Sequence, residues 1–415
     1  MAKPQTPVDL ADPALYQRGI PHEAFAEIQA APGLLWNAID SDPDDGFWAV
    51  TRHADVVEVS RDPATYSSAA GHIQIYDIDP DALEARASMI DMDPPRHTRL
   101  RRLVSAAFTP RHVLDHRDAI QDRVDRALDA MVAAGSGDWV DIVAKPIPIS
   151  VISDMMGVPP EDHDYMIELS DHLVAGTSNE PLEASAYGNT TELRLLPFNS
   201  PAAHGINEYA RQLGEQRRRE PKDDLVTKLI NAEVDGERLT DNEFTNFFRL
   251  MIFAGNETTR GSMAHLALHL HQFPHEFARV RSDHSLLESA AEEVIRYSSP
   301  ILYFRRTATR DVTLSGTPIR AGDKVVMWYS AANFDESIFP GPLRFDVDRP
   351  LRPPNVAFGG SGPHFCLGAS LARLELTILI KEILNRDLKV EVIGEPHFVP
   401  SNFVNGIENL QVRVG

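Results

Sequence analysis

The longest regular pattern of apolar and polar positions runs from about residue 241 to residue 272. Within it, apolar side chains recur with the 3.6-residue period of a helix, at Phe244, Phe247, Phe248, Met251 and Ala254. No proline interrupts the pattern before Pro274. The sequence therefore predicts one long central helix over about 241–272.

Shorter elements are predicted on both sides of this helix. An apolar stripe of Leu100, Leu103, Val104 and Ala107 indicates a helix that stops at Thr109 and Pro110. Further helices are expected near 115–134, 160–175, 203–219 and 274–297. Strand signals occur at 47–51, 312–314, 325–328, 388–392 and 410–414. The chain is predicted to be mainly α with small β-sheets, an α+β fold, and to form a single domain over 1–415 because no long linker divides it.

The amino-acid composition and the net charge limit the classes of protein to which the chain can belong. With 43% hydrophobic residues, the 415-residue chain can build a globular core. No apolar run approaches the roughly 18–20 residues of a membrane span, and no apolar leader follows Met1, so we expect a cytoplasmic protein without membrane insertion. The net charge of −21 argues against nucleic-acid binding, which depends on cations that neutralise phosphate.

Cys366 is the single cysteine, which excludes an internal disulfide and an iron–sulfur cluster held by several cysteines. It follows the glycine-rich segment Phe358-Gly-Gly-Ser-Gly-Pro-His-Phe and precedes a helical run that begins near Leu371. A cysteine at the start of a helix is favoured as a thiolate, by backbone N–H groups and the helix dipole. Three interpretations stay open from these residues alone: an inert buried thiol, a nucleophile beside His364, or a metal ligand.

The segment resembles the haem-ligand loop of the cytochromes P450, Phe-Gly-x-x-Gly-x-His-x-Cys-x-Gly, with one residue more than the commonest spacing between Phe358 and Cys366. Two further stretches match the family in its order, so the resemblance covers about residues 90 to 415. It implies the P450 fold, with the haem-ligand loop at 357–368, and heme b as the cofactor. Cys366 would be the axial iron ligand, and Phe358 and Gly368 would contact the haem.

The second matching stretch is Phe253-Ala-Gly-Asn-Glu-Thr-Thr259, within the predicted long helix. Without the resemblance, the small residues and threonines of this stretch are equally consistent with a groove for helix packing. A threonine there can turn its hydroxyl to a backbone carbonyl and open the helix locally. The resemblance implies that Glu257 relays protons and that Thr258 holds the oxygen under activation. Ala254 and Gly255 would make room for O2 as the co-substrate.

The third stretch contains Glu293 and Arg296, three residues apart on one helical face. Most such pairs are solvated and contribute little. The resemblance implies a buried structural network that also includes Arg349.

Haem propionates need cations, ideally arginine. By resemblance the propionate ligands are His97, Arg101, Arg306 and His364. Arg305 competes with Arg306, because spacing cannot separate adjacent positions.

The redox partners are also implied by the resemblance. Without a fused flavin or iron–sulfur segment, electrons from NAD(P)H would arrive through a ferredoxin and a ferredoxin reductase. Arg99, Arg102, Arg111 and Arg373 are candidates for a basic docking face, although scattered solvated arginines would look the same. A monomer is the family default.

The substrate positions implied by the resemblance are nearly all apolar: Ile73, Ile75, Leu173, Val174, Met251, Ala254, Ile301, Leu302, Phe304, Phe403 and Val404. Polar contacts would come from His72, Gln74, Tyr76 and Tyr303. Together they favour an apolar small molecule held by few polar groups. The stretch Ala-Gly-Asn-Glu-Thr-Thr259, the longer haem-ligand loop and the tail Asn402-Phe-Val-Asn-Gly resemble those of bacterial P450s that act on sterols, methyl-branched lipids and terpenoids, so the resemblance implies a sterol, branched lipid or terpenoid.

The sequence is therefore interpreted as a P450 monooxygenase that hydroxylates an aliphatic C–H bond with O2. Three alternatives stand beside it: a peroxide-driven haem-thiolate oxygenase, a non-catalytic haem-binding sensor or carrier, and a thiol enzyme without haem.

Overall fold

The computed structural model describes residues 3–39, 42–175, 192–234 and 236–415. The chain is mainly helical with small sheets, which confirms the predicted fold class. The helices are α1 His22–Ala30, α2 His53–Arg61, α3 Pro80–Arg86, α4 Arg96–Ser105, α5 Pro110–Asp115, α6 Arg117–Ala134, α7 Pro146–Met156, α8 His163–Ala175, α9 Ala202–Arg219, α10 Leu225–Asn231, α11 Asp241–Gln272, α12 Pro274–Ser282, α13 Leu287–Ser298, α14 Tyr329–Ala332 and α15 Ala369–Asn385.

The strands are short and are distributed over several sheets. They are β1 Leu35–Ile39, β2 Asp42–Val50, β3 Tyr66–Ser67, β4 Ser136–Asp138, β5 Glu233–Val234, β6 Glu237–Arg238, β7 Tyr303–Ala308, β8 Val312–Leu314, β9 Thr317–Ile319, β10 Lys324–Trp328, β11 Val390–Val392, β12 His397–Phe398, β13 Ile407–Asn409 and β14 Gln411–Val414.

Helix α11 is the centre of the helical part and has the bounds that its apolar period predicts. Thr240 caps its first turn: the Thr240 hydroxyl accepts from the amide of Glu243, and the Glu243 carboxylate accepts from the amide of Thr240. At about 1.5 Å per residue the helix is roughly 48 Å long. Helices α7, α8, α9, α13 and α15 pack around it, so most of its length is buried.

The main sheet has the strand order β1-β2-β10-β7-β3. Strand β10 runs parallel to β2 and antiparallel to β7, with Val325 opposite Arg306 and Val326 opposite Arg305. Since neighbouring residues on a strand face opposite sides, the sheet directs Arg305 and Arg306 to different surroundings. A separate sheet, β11-β14-β4, ties the C-terminal tail to the chain after α6.

Two local predictions were wrong in detail. The helix expected over 274–297 is two helices, because Asp283 is extended and its side chain accepts from the amide of Ser285. The helix expected to reach Thr109 ends at Ser105 and continues as a short 3-10 turn, while Thr109 caps α5.

Helix α7 was not predicted, since nine of its eleven residues are buried and leave no polar face to set a period. No helix in the described ranges is both long and apolar enough to cross a membrane.

Candidate functional site

The conformation of the loop 357–368 depends on backbone φ angles that favour glycine. Gly359 and Gly362 have φ of 91° and 90°. A side chain at Gly360 or Gly362 would collide with Ser60 or its backbone on α2, so the loop packs directly against that helix. The amide of Cys366 donates to the carbonyl oxygen of Phe358 at 2.9 Å, which closes the loop just before α15 begins.

The thiol of Cys366 is surrounded by protein atoms but is accessible to solvent through the cavity that it lines. Burial raises the pKa of Cys366. The amides of Gly368 and Ala369 and the guanidinium groups of Arg101 and Arg373 act in the opposite direction. These donors and cations at the start of α15 form a setting in which a bound metal ion would stabilise the thiolate further.

His97 and His364 lie side by side at the edge of the cavity, with ring centroids 4.2 Å apart. Burial, with nearby arginines as further causes, lowers the pKa of His97 to about 4 and that of His364 to about 2. The Nε2 atom of His364 lies 3.2 Å from the Ser68 hydroxyl. Both ring nitrogens of His97 are buried and have no hydrogen-bond partner among the described residues.

The structure separates the two adjacent arginines. Arg305 donates from Nη1 to Asp77 Oδ1 at 2.7 Å. Arg306 donates to the carbonyl of Arg305 at 2.8 Å, and its charge acts on His97 and His364. In the described ranges Arg306 has no ion pair with a carboxylate. The residues predicted to bind the haem propionates therefore come together as His97, His364 and Arg306. Arg305 is not part of this group.

Arg101, on α4, reaches the haem-ligand loop from another side. Its Nη2 donates to the carbonyl oxygen of Phe365 at 2.7 Å, and the side chain lies on the cavity wall. Arg373 packs over the Phe358 ring, with the guanidinium carbon 4.4 Å from the ring centroid. Both cations are thus close to the predicted ligand loop.

Helix α11 passes the cavity at Thr258. The Thr258 hydroxyl donates to the carbonyl oxygen of Ala254 at 2.9 Å, one turn earlier. Ala254, Gly255 and Thr258 all lie on the wall. A side chain at Gly255 would meet Ile152 of α7 at 3.0 Å, so glycine also allows the close packing of these two helices.

Glu257 lies behind the wall rather than on it, with 3% of its surface exposed. Burial raises its pKa, while Arg260, whose Nη1 lies 3.4 Å from Glu257 Oε2, opposes the rise. Arg260 donates to Asp171 at 2.8 Å, and Lys145 bridges Asp171 at 3.0 Å and the exposed Asp141 at 2.7 Å. A chain of charged side chains therefore leads from Glu257 to the surface.

The cavity wall between Cys366 and α11 is mostly apolar. Of the residues predicted to meet substrate, those on the wall are Ile73, Leu173, Met251, Ala254, Ile301, Phe304 and Phe403, together with the polar His72 and Gln74. The side chain of Val174, at the end of α8, lies outside the described residues.

Five other positions are not on the wall. Ile75, Leu302 and Val404 are buried in the apolar cluster under the main sheet, together with Leu10 and Phe25. Tyr303 is also in that cluster, where its hydroxyl accepts from the amide of Ile75 at 3.4 Å, and Tyr76 is 40% exposed. Their sequence pattern does not distinguish a cavity wall from a core, so these placements correct the prediction.

The buried network predicted at Glu293 is formed. Glu293 accepts from Arg296 at 2.7 and 2.8 Å, from Arg349 Nε at 3.2 Å and from the amide of Asp346 at 3.0 Å. Glu293 and Arg296 are 2% and 1% exposed. The remaining donors of both arginines go to carbonyl oxygens, including that of Asn333. The network joins α13 to the segment that precedes the haem-ligand loop.

The four arginines considered for a docking face differ in their exposure. Arg99 pairs with Glu243, and Arg373 pairs with Glu292, so both are largely committed within the chain. Arg102 and Arg111 are exposed on α4 and α5.

Several wall residues were not predicted, among them Arg86, Asp91, Phe198, Asn246, Arg249 and Phe253. The two arginines lie in helical stretches where a charged residue normally indicates a solvent-facing position, so no signal in the sequence distinguishes them.

Comparison with known proteins identifies the family. The family model described as Cytochrome P450 matches residues 13–413. The chain belongs to the cytochrome P450 family. P450 monooxygenases bind haem through a cysteine thiolate, use O2 and receive electrons from redox partners. The chain is such a monooxygenase.

Relatives of known activity match nearly the whole P450 chain. A steroid C26-monooxygenase of Mycobacterium tuberculosis is 37% identical, and the match covers 97% of this chain and 92% of the relative. A methyl-branched lipid omega-hydroxylase of the same organism is 40% identical, covering 94% and 90%. The structure of a Mycobacterium marinum cytochrome P450 in complex with pseudoionone has a TM-score of 0.88 and 39% identity, and covers 99% of both chains.

The residues present fit a haem. Among the described residues, the ring nitrogens of His97 have no partner and Arg306, whose charge acts on His97 and His364, has no ion pair with a carboxylate, so an anionic propionate would suit this group. The thiol of Cys366 opens onto the same cavity.

Proposed function

We propose that this P450 hydroxylates an aliphatic C–H bond of an apolar substrate, of the sterol, branched-lipid or terpenoid type, with electrons from NAD(P)H delivered by a ferredoxin. The observation that supports it most is the cavity that joins the Cys366 thiol, the Thr258 hydroxyl and a mostly apolar wall. The activities of the two mycobacterial relatives agree with such a substrate.

Haem, when bound, supplies the oxidising chemistry, and the balanced reaction consumes O2, two electrons and two protons. One oxygen atom enters the C–H bond, and the other leaves as water. We assign the iron to Cys366 and the propionates to His97, Arg101, Arg306 and His364. Phe358 and Gly368, both on the wall, would pack against the porphyrin.

Proton delivery is assigned to Glu257 and Thr258. The buried carboxyl of Glu257 keeps its proton to a higher pH than an exposed glutamate, because burial disfavours the charged form. Ion pairs connect it through Arg260, Asp171 and Lys145 to the exposed Asp141, so charged side chains, not apolar ones, lie between Glu257 and solvent. The Thr258 hydroxyl can exchange its Ala254 partner for a group in the cavity and thereby orient it.

Substrate orientation is assigned to the apolar wall. Phe304 and Phe403 lie with ring centroids 5.9 Å apart, and both are on the wall with Met251 and Ile301. Their apolar surfaces disfavour water beside the reacting C–H bond, and few polar groups compete for the ligand.

The docking of an acidic ferredoxin is assigned to the surface near the haem-ligand loop. Arg102 and Arg111 are exposed there. A local basic patch on a protein of net charge −21 would orient an acidic partner. A monomer would leave this surface accessible.

The experiment combines the purified haem protein, a ferredoxin, its reductase, NADPH and isotopically labelled O2, with sterols, methyl-branched fatty acids and terpenoids as substrates. Labelled hydroxyl in the product supports the proposal. Product only with added hydrogen peroxide would favour the peroxide-driven alternative, and ligand binding without product would favour a sensor or carrier.

A further inference from the structure

Two arginines lie on the mostly apolar cavity wall, away from the residues around Cys366. Arg249 on α11 and Arg86 at the end of α3 both line it, at 4% and 6% exposure. Arg249 precedes Thr258 by nine residues, or roughly 13 Å along the helix at 1.5 Å per residue. Arg249 is thus well separated from the position where oxidation would take place.

Among the described residues, Arg249 donates to neutral acceptors. Its Nη1 donates to the side-chain oxygen of Asn207 at 2.8 Å, and its Nη2 donates to the carbonyl oxygen of Arg86 at 3.4 Å. Burial lowers the pKa of Arg249 to about 10, so the side chain remains charged at neutral pH. Within the described ranges, neither Arg249 nor Arg86 forms an ion pair with a carboxylate.

Arg86 is also satisfied by neutral groups. It donates from Nε to the carbonyl oxygen of Arg194 at 3.0 Å and from Nη2 to Asn199 Oδ1 at 2.9 Å. Both contacts tie it to the segment that precedes α9. Neither contact supplies a carboxylate for its positive charge.

Asp91, on the same wall, is the carboxylate whose charge acts on both arginines. It already accepts from His72 Nδ1 at 2.6 Å and from the amide and hydroxyl of Ser88 at 3.2 and 3.0 Å. Among the described residues, two buried guanidinium groups therefore share one occupied carboxylate. If the two arginines only packed the protein interior, this arrangement would not be needed. A neutral donor would make the same contacts without the free-energy cost of burying a second cation.

We propose that the substrate carries a carboxylate at one end, which binds to Arg249 and Arg86, while its apolar chain extends toward Thr258. A guanidinium fork pairs with a carboxylate through two parallel hydrogen bonds, and a buried site strengthens them. This inference rests on the proposed function, and it specifies the substrate class as an apolar acid. Oxidation would then fall on carbon atoms remote from the carboxylate.

The test is a titration of the purified ferric protein that follows the change in haem absorption on ligand binding. Myristic acid is compared with methyl myristate, which has the same chain without the charge, and octanoic acid tests whether a short chain reaches both ends of the cavity. The measured quantity is the ratio of the two dissociation constants. The variants are Arg249→Met, Arg249→Lys and, as a control, Arg211→Met on the exposed face of α9.

We expect the wild-type protein and Arg211→Met to bind the acid about tenfold or more tightly than the ester. Arg249→Met should lose that preference, and Arg249→Lys should keep part of it. Octanoic acid should bind weakly. Equal binding of acid and ester by the wild-type protein, or an undiminished preference in Arg249→Met, would overturn the inference.

If Arg249→Met does not fold, the ratio of the acid and ester dissociation constants in the wild-type protein and its change in Arg249→Lys test the inference instead. A spectral response to esters and sterols but not to acids would overturn this inference and leave the proposed function in place. No response to any of these ligands, together with no product in the reconstituted reaction, would count against both.

Discussion

The hydroxyl of Thr258 donates to the carbonyl oxygen of Ala254 at 2.9 Å, on the side of α11 that forms the cavity wall. The bond competes with the regular hydrogen bonding of the helix at that turn. It places an exchangeable donor in the cavity, and the proposed role of Thr258 depends on it.

Replacing Thr258 by alanine is expected to uncouple NADPH consumption from product formation. Without the Thr258 hydroxyl, no group fixes where protons reach the oxygen molecule in the cavity. The electrons taken from NADPH should then be released in hydrogen peroxide instead of being used to form product. We expect product per NADPH to fall by about tenfold or more. The measurement is NADPH, peroxide and product in the same reaction.

The matched control for this variant is Thr245→Ala. Thr245 is on the same helix and donates to the carbonyl oxygen of Asn242 at 3.2 Å, but it is not on the cavity wall. Unchanged coupling in Thr258→Ala, or an equal loss in Thr245→Ala, would remove Thr258 from the mechanism.

Replacing Glu257 by glutamine should slow turnover by roughly 10²-fold or more, because the amide cannot pass on a proton. In the wild-type protein, burial raises the pKa of Glu257, so activity should fall as pH rises through that raised value. The variant should lack this limb of the pH profile. Glu288→Gln, at an exposed position of α13, is the control. A variant with the wild-type profile would refute the relay.

Replacing Glu293 by glutamine should destabilise the fold. It removes the shared carboxylate and leaves Arg296 and Arg349 as buried cations, for which losses of about 3–5 kcal/mol are typical. The free energy of unfolding is measured by denaturant titration, with Asp122→Asn at an exposed helical pair as the control. Equal stability of the two variants would show that the Glu293 network does not support the fold.

Buried histidines should make the fold sensitive to acid. Burial lowers the pKa of His265 to about 4, against 6.5 in the unfolded chain, so the unfolded state binds a proton first. Stability should therefore be complete above pH 6.5 and decline toward pH 4, by about 3 kcal/mol for this group. Unfolding measured over that range should show a smaller decline in His265→Gln. An equal decline in both proteins would contradict the assignment.

The elements that the sequence predicts well are those with several local signals in agreement. For α11, the apolar period and the following Pro274 point to the same bounds, and the structure adds a capping pair of Thr240 and Glu243 at the first turn. The loop before Cys366 is similarly determined, because its glycines meet the backbone of α2 and its shape follows from them.

The parts that the sequence does not predict depend on tertiary neighbours. Arg305 and Arg306 are equivalent in spacing, and only the pairing of β7 with its neighbours, together with the position of Asp77, distinguishes them. Leu302 and Ile301 are equally apolar, yet only Ile301 reaches the cavity. Arg249 has the sequence context of a surface residue, and its burial follows from the packing of α3 and α9 against α11.

The central claim is that Cys366 binds the haem iron of this P450. It is tested most directly by the absorption spectrum of the reduced protein with carbon monoxide, compared between the wild-type protein and Cys366→Ser. We expect the red-shifted Soret band of thiolate ligation in the wild-type protein and its loss in Cys366→Ser, even where the variant retains haem. The same band in both proteins, or a wild-type protein that binds no haem, would contradict the account.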